Sequence, residues 1–88
     1  MLTGVQIRMA RNALRWSVKD LADQSDVSTS TITRAETVDG VPTTTRANLL
    51  ALKNTLEAAG IEFIGSQDDG PGIRIHPAGY AQRSSLAF

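Results

Sequence analysis

Residues 17–36, SVKDLADQSDVSTSTITRAE, have the pattern of two short helices joined by a tight turn. In the first half, residues with a helical spacing of three and four predict one buried stripe, formed by Val18, Leu21, Ala22 and Ser25. Ser17 can cap this helix, and Asp20 completes an aspartate version of the capping box. Ser28 is a second capping residue after the break at residues 25–27, so a second helix is predicted to begin there.

The second helix is predicted to have two different sides. At about 100° per residue, the inner side contains Thr31, Ile32, Ala35 and Glu36. The outer side, within about 140° of arc, contains Thr29, Ser30, Thr33, Arg34 and Thr37. Threonine is an indifferent helix former, so helix propensity does not explain this row. Small hydroxyls with one long cation suit the donors and acceptors of the DNA major groove. The alternative is an ordinary solvated helix face, although such faces usually carry Lys and Glu.

Over roughly residues 4–60, the chain resembles the Xre family, the lambda-repressor-like and Cro-like DNA-binding regulators. The residues that carry the resemblance are Arg11, Trp16-Ser17, Leu21-Ala22, Val27-Ser28, Ile32 and Glu36. The resemblance implies a mainly α fold, with four to five helices in a helix-turn-helix domain at residues 1–60. Residues 17–25 would be the positioning helix and residues 28–37 the recognition helix. It also implies an internal ion pair between Arg11 and Glu36 that ties the first helix to the third.

The same resemblance assigns DNA-facing positions, which are Ser28, Thr29, Ser30, Thr33 and Arg34. Ser17 and Lys19, at the start of the positioning helix, are further candidates for contact with DNA. Two positions depart from the family pattern. Val18 stands where many members have a glutamine, which removes one expected contact. Asp26 stands where glycine is usual, and aspartate tolerates left-handed backbone well enough to keep the turn.

Before this stretch, a first helix is predicted from a cap at Thr3 to about Arg15, with Gln6 completing a capping box. Its buried stripe would contain Ile7, Ala10 and Leu14. Trp16 is expected to pack at the junction with the next helix, because a lone tryptophan between two helices is usually a core or boundary residue. The alternative is a platform on which a base stacks.

After the stretch, residues 38–42 contain the Gly and Pro that separate two helices. A strongly apolar helix of roughly fifteen residues is predicted to follow the caps at residues 43–45 and to end at Gly60. Its apolar residues are Ala47, Leu49, Leu50, Leu52, Leu56 and Ala59. The free amides of its first turn, together with Thr44 and Arg46, favour phosphate binding. A plain capped core helix is the alternative, and both could hold.

Beyond Gly60 the apolar period changes to two, which predicts a β-hairpin at residues 61–76. An isolated hairpin is marginal in water and leaves strand edges unpaired. We therefore expect a two-fold dimer through Ile61, Phe63, Ile73 and Ile75. Such a dimer would place two recognition helices about one turn of DNA apart, roughly 34 Å, on a pseudo-palindromic site. The alternative is a hairpin that packs only on its own helical domain.

The chain has 88 residues and a formal net charge of +0, which indicates a single small domain with little general attraction to DNA. If Arg11 is paired, the cations left for DNA would be Arg15, Lys19, Arg34 and Arg46. We therefore expect weak non-specific binding and specific binding that needs two subunits. Residues 77–88 are expected to be a flexible tail, with an arm that wraps the partner subunit as the alternative.

Several classes of protein are disfavoured by the sequence. The absence of cysteine agrees with a reducing cytoplasm, and no signal run or membrane-spanning stretch is found, so a cytoplasmic protein without a membrane partner is expected. His76 has no obvious catalytic partner, and Asp68-Asp69 lack the spacing of a calcium loop. The glycines at 70 and 72 precede a predicted strand, which argues against a phosphate loop. We expect neither enzymatic activity nor a cofactor or metal.

The sequence therefore predicts a transcriptional regulator, acting as a dimeric repressor that occludes a promoter by binding double-stranded DNA. Arg34 is the candidate for a bidentate contact with guanine, worth about 1 to 3 kcal/mol of discrimination. Ser30 and Thr33 would add hydroxyl or methyl contacts, while Ser28 and Thr29 would lie near phosphate.

A protein-interaction module, such as an antitoxin or an anti-activator, is the alternative function. The acidic residues Asp20, Asp23 and Asp26 and the neutral total charge favour it.

Overall fold

The computed structural model describes residues 2–66 and 68–76, so the predictions for the tail lie outside the described residues. The elements are α1 (Gly4–Ala13), α2 (Val18–Ser25), α3 (Thr29–Glu36), α4 (Arg46–Ala58), β1 (Ile61–Ile64) and β2 (Gly72–Ile75). The mainly α fold with a C-terminal hairpin is confirmed, and the described part of the chain contains four helices. None of these helices combines the length and apolar character needed to cross a lipid bilayer.

Side-chain caps set where the helices begin. The N-cap residues are Thr3, Ser17, Ser28 and Thr45, and each accepts a hydrogen bond from a backbone amide of the first turn. Gln6 and Asp20 complete reciprocal capping boxes in α1 and α2. The predicted starts of the first three helices are therefore confirmed.

The turns on either side of α2 each contain a residue in left-handed backbone. Asp26 caps the C-terminus of α2 at φ 62° and ψ 17°. It therefore adopts the left-handed backbone that an aspartate was predicted to tolerate at this turn. Arg15 has φ 58°. Left-handed backbone cannot continue a right-handed helix. Helix α1 consequently ends at Ala13, earlier than predicted.

The hydrophobic core lies where all four helices meet the hairpin. It contains Leu2, Ile7, Ala10, Leu21, Val27, Ile32, Ala35, Leu49, Leu52, Leu56 and Ile61. Trp16 is half-buried and packs against this core, so the prediction that it lies at the junction of two helices is confirmed. Full burial of a side chain such as Ile or Leu contributes about 1.5 to 3 kcal/mol, so this cluster supplies much of the stability of the domain.

Helix α4 is less completely buried than its composition suggested. Leu49, Leu52 and Leu56 are buried, but Leu50 is 53% exposed and Ala47 is also exposed. Residue 50 is rotated by about 100° from residue 49 around the helix axis, away from the buried stripe. The prediction of an apolar helix was therefore correct for one side only.

The hairpin places four of its apolar residues on one face, with Ile61 opposite Ile75 and Phe63 opposite Ile73. Ile61 is completely buried, Phe63 and Ile73 pack against the core, and Ile75 is 57% exposed. The predicted dimer contact stays a prediction, but three of the four side chains cover their own helical domain. The physical reason is that α1 and α4 offer apolar partners within the same chain.

Gln6 connects the hairpin to α1. Its side chain is buried, and Nε2 donates to the carbonyls of Ile64 and Gly72 at 3.0 Å each. Oε1 accepts a hydrogen bond from the amide of Thr3 at 3.1 Å. Ile64 and Gly72 are paired residues at the end of the hairpin that leads into its turn. The side-chain amide therefore fixes the turn end of the hairpin to the start of α1, with its polar atoms satisfied.

Candidate nucleic-acid interface

Helix α3 separates its residues into a buried and an exposed side. Ile32, Ala35 and Glu36 are buried. The exposed residues are Thr29, Ser30, Thr33, Arg34 and Thr37. This division is the one that the helical periodicity predicted, except that Thr31 is only half-buried and lines a cleft with Arg34. The polar side of α3 is therefore available to a ligand.

The hydroxyls at and near the exposed side of α3 differ in whether they already form hydrogen bonds within the protein. Ser28 Oγ accepts from the amide of Thr31 at 3.3 Å and lies 2.8 Å from Thr31 Oγ1, so the cap occupies it. Thr37 Oγ1 donates to the carbonyl of Arg34 at 2.7 Å. Within the described residues, Thr29 and Thr33 form no side-chain hydrogen bond. Their hydroxyls retain both a donor and an acceptor for a ligand.

Arg34 lies at the edge of a cleft of about 320 Å³ between α3 and the N-terminal end of α4. The guanidinium is exposed and forms no ion pair with any described residue. Pro42, Thr44 and Asn48 line the same cleft, and Asn48 Nδ2 donates to Thr44 Oγ1 at 3.1 Å. The structure thus brings the predicted base contact and one predicted phosphate contact together.

Arg46 is separated from this cleft. Although it is the first residue of α4, it lines a second groove together with Lys53 and Phe63. The two predicted phosphate ligands of α4 therefore lie in different grooves, with only Thr44 beside α3. Sequence spacing could not show this, because residues two apart on the chain can line different grooves where a loop becomes a helix.

An ion pair fixes the buried side of α3. Arg11 Nε lies 2.8 Å from Glu36 Oε2, and Arg11 Nη2 lies 2.8 Å from Glu36 Oε1, so the contact is bidentate. Arg11 Nη1 also donates to the carbonyl of Trp16 at 3.0 Å. The hydrogen bond with Glu36 raises the pKa of Arg11, although burial opposes this shift. Because bidentate pairs are directional, α3 is held in one orientation against α1 and the following turn.

Gly4 allows α1 to approach the end of α3 closely. Its amide donates to the carbonyl of Gly40 at 2.9 Å. A Cβ atom at this position would lie 1.8 Å from Val38 O and 2.2 Å from Ala35 O, so a larger residue does not fit. No feature of the sequence pointed to this contact, since a glycine at the start of a helix does not reveal which part of the chain packs against it.

Arg8 provides a third link between α1 and α3. Its Nη1 donates to the backbone carbonyl of Glu36, and its Nη2 lies 3.2 Å from Asp39 Oδ1. A cation near the C-terminus of a helix also interacts favourably with the helix dipole. Arg8 is therefore engaged within the protein and is not a candidate for contact with DNA.

The start of α2 is more occupied than predicted. Ser17 Oγ accepts from the amide of Asp20 at 3.0 Å, and the amide of Ser17 donates to Asp20 Oδ2 at 2.9 Å. Hydrogen bonds to the Asp20 carboxylate from the Ser17 amide, and then from the Ser17 side chain, lower the pKa of Asp20. Lys19 Nζ lies 3.0 Å from Asp23 Oδ2, and this hydrogen bond raises the pKa of Lys19. Lys19 is therefore not an unpaired cation, although an exposed pair of this kind is weak enough to exchange for a phosphate.

Residues 7–53, more than half of the chain, match the family model HTH_3, whose description is Helix-turn-helix. The chain belongs to this helix-turn-helix family. It is the family of the Xre and lambda-repressor-like regulators, so the resemblance inferred from the sequence is confirmed. The match begins in α1 and ends in α4, which leaves the hairpin outside it. No curated protein and no solved structure gives a significant match.

Membership of the helix-turn-helix family identifies the chain as a DNA-binding regulator and not as a member of an enzyme family. The match includes both helices of the motif, α2 and α3, and the turn between them at Asp26. In this motif, the ion pair of Arg11 with Glu36 fixes the buried side of α3, and Arg34 is exposed on the opposite side.

Proposed function

We propose that the chain is a sequence-specific transcriptional regulator that reads double-stranded DNA with the outer side of α3. The observation that supports this most strongly is the exposure of Thr29, Thr33 and Arg34 on a helix whose inner side is fixed. A recognition surface that is already ordered loses little conformational entropy on binding. Its groups match the acceptors, donors and methyl groups of the major groove.

Each exposed residue has a proposed role. Arg34 donates two hydrogen bonds to a guanine, and Ser30 and Thr33 contact neighbouring base edges. Ser28 and Thr29, at the N-terminus of α3, lie near the phosphates that this helix end attracts. Further phosphate contacts come from Ser17, Lys19, Thr44 and Arg46.

Substitution of Arg34 tests the proposed reading of bases. Sites would first be selected from random DNA with the unaltered protein, and binding would then be measured by electrophoretic mobility. In the Arg34→Ala variant, the base preference at one position of each half-site should relax by about 1 to 3 kcal/mol. Lys53→Ala is the matched control, because it removes one exposed cation from the other groove. An equal loss of DNA affinity in the two variants would show that Arg34 acts only through its charge. An unchanged base preference would show that Arg34 does not read a base.

The regulator is proposed to act as a two-fold dimer that represses transcription by covering a promoter. Each hairpin strand has one edge without a partner strand in the described chain, and Ile75 is exposed beside one of them. Pairing of two hairpins would cover these edges and place the recognition helices roughly 34 Å apart.

Sedimentation of the full chain tests the proposed dimer. Ile75→Asp should shift the population towards monomer, because it places a charge in the hairpin contact. Leu50→Asp, which alters an equally exposed apolar residue away from the hairpin, should leave the oligomeric state unchanged. A chain that sediments as a monomer at the concentrations that bind DNA would argue against the dimer while leaving base reading intact.

A protein-interaction module is the second candidate, favoured by the acidic surface of α2. Asp20, Asp23 and Asp26 are all exposed there, and the whole chain has no net charge. Electrophoretic mobility with the DNA upstream of its own reading frame distinguishes the two functions. Retardation at low salt supports the regulator, whereas its absence supports a protein partner.

A further inference from the structure

The groove lined by Arg46 combines an apolar floor with positive charge. Its volume is about 290 Å³, and it lies between α4, the start of α1 and the hairpin. The residues that form it include Leu2, Leu49, Leu50 and Phe63 together with Arg46 and Lys53. Among the described residues, no acidic side chain lines this groove. We call this site the α4 groove.

The cations of the α4 groove are not neutralised within the described chain. Four described cations have carboxylate partners, namely Arg8, Arg11, Lys19 and Arg74. Arg46 and Lys53 have no ion-pair partner among the described residues. Two unpaired positive charges thus flank an apolar surface, and complementary charge is what gives a binding surface its selectivity.

Leu50 makes the surface of the α4 groove apolar. It is one of three large hydrophobic residues that are exposed in the described chain, and its side chain is 53% accessible. The polar atoms of Gln6, which also lies in the groove, are already bonded to Thr3 and the hairpin. The floor therefore offers a ligand apolar contact without competing hydrogen-bond donors.

Within the part of the chain that the structure describes, the cleft beside Arg34 and the α4 groove share no lining residue. Contact between DNA and α3 therefore does not require the groove to be covered. DNA phosphates complement the charge of Arg46 and Lys53, but they do not complement the apolar surface of Leu50 and Phe63. An occupant that complements the whole site must carry both apolar and negatively charged side chains.

We propose that the α4 groove binds an acidic amphipathic segment of a partner protein. Apolar side chains of the segment pack on Leu50 and Phe63. Its carboxylates pair with Lys53 and with Arg46, and at Arg46 they compete with a DNA phosphate. Residues 77–88 of this chain fit less well, because they include Arg83 and no acidic side chain. The acids of α2 in a second copy also fit less well, because Leu21 beside them is buried.

A pair of synthetic peptides tests the proposal with the full chain. One peptide of about 18 residues carries Leu on one helical side and Glu on the other, and its twin has Lys in place of Glu. Binding would be followed by fluorescence anisotropy of the peptide and by backbone amide shifts of the protein. The acidic peptide should bind at least about tenfold more tightly than the basic one. Its shifts should centre on residues 49–53 and Phe63.

Two substitutions that introduce a negative charge into the α4 groove locate the binding site. Lys53→Glu and Leu50→Asp should each weaken binding of the acidic peptide at least about tenfold. Both positions are exposed, so the fold should persist, as circular dichroism can verify. Arg34→Glu is the matched control, since it reverses an unpaired cation outside the groove and should abolish DNA binding while leaving peptide binding unchanged.

Several results would overturn the proposal. Three results would contradict an acidic partner segment: equal binding of the two peptides, no binding of the acidic peptide, or amide shifts centred on α3. Groove signals that move with protein concentration would identify a second copy as the occupant. Groove signals that move in the variant L86S/F88S would identify the chain's own tail. Loss of DNA binding in Lys53→Glu as large as in Arg34→Glu would assign the groove to phosphates. DNA binding by the unaltered chain, measured separately, keeps these outcomes distinct from a failure of the proposed function.

Discussion

The two sides of α3 differ in how they are held. The inner side is fixed by core packing of Ile32, by the bidentate pair of Arg11 with Glu36 and by the close approach of Gly4. On the outer side, Thr33 and Arg34 have no side-chain partner within the described chain. One eight-residue helix thus keeps most of its stabilising contacts on one side and its proposed recognition groups on the other. Stability and DNA binding should therefore respond to different substitutions.

Removal of the buried carboxylate should have the largest effect. Glu36→Ala leaves Arg11 with an unpaired charge in a site where its side chain is 16% exposed, and the free energy of unfolding should fall by about 3 kcal/mol. Urea denaturation followed by tryptophan fluorescence would measure it. Glu57→Ala is the control, because this half-buried acid forms no ion pair with the described residues. Similar losses in the two variants would show that the ion pair does not set the inner side apart.

Gly4→Ala should have the next largest effect. The added Cβ would meet two backbone carbonyls of the α3 C-terminus, so α1 and α3 would have to move apart, at a cost of about 2 kcal/mol. Gly72→Ala is the control, since its Cβ would lie at an ordinary 3.5 Å from Ile64 Cγ1. Thermal unfolding of both variants would measure the difference. A Gly4→Ala protein as stable as the control would mean that the close approach is not needed.

The outer side of α3 could be predicted from the sequence because local rules determine it. Helical periodicity placed Thr33 and Arg34 on the side opposite Ile32, and capping chemistry located the start of the helix at Ser28. The exposed side follows once the helix and its buried stripe are known.

The contacts of the inner side depend on residues far apart in the chain. The approach of Gly4 to Val38, and the contact of Arg8 with Asp39, join positions more than thirty residues apart, and no local pattern encodes them. The pair of Arg11 with Glu36 followed only from the family resemblance. The hairpin shows the same limit, because alternation placed Phe63 and Ile73 on one face but did not reveal that α1 and α4 cover it.

Substitution of Asp26, in the turn before α3, should increase stability by an intermediate amount. Asp26 has φ 62°, a conformation that costs an L residue about 1 kcal/mol and costs glycine little. Asp26→Gly should therefore raise the free energy of unfolding by up to about 1 kcal/mol and leave DNA binding unchanged. Asp23→Gly, within α2, is the opposite control and should destabilise the protein. If Asp26→Gly weakens DNA binding, the carboxylate has a role in recognition that the turn alone does not explain.

Substitution of the outer threonines should separate stability from recognition. Thr29→Ala and Thr33→Ala replace exposed, indifferent helix formers with a better one, so each should stabilise the fold by up to about 0.5 kcal/mol. The same variants should bind selected DNA less tightly. Thr55→Ala, in α4, provides a threonine-to-alanine control outside the proposed interface. Denaturation curves and mobility assays on the same samples would detect the opposed changes, and parallel changes would contradict the division between the two sides.

Substitution of Asp20 in the exposed cap of α2 should change stability least. The change should depend on pH. Hydrogen bonds from Ser17 lower the pKa of Asp20 from its ordinary 3.8, so the folded state favours the carboxylate. Asp20 therefore contributes stability above that ordinary value, and the contribution is lost as pH falls through the lower pKa of the folded state. The Asp20→Asn variant keeps an oxygen acceptor for the Ser17 amide but cannot ionise. The melting temperatures of the two proteins should differ at about pH 6 and converge towards about pH 3. A difference that stays constant over this range would show that the charge on Asp20 contributes nothing to the cap.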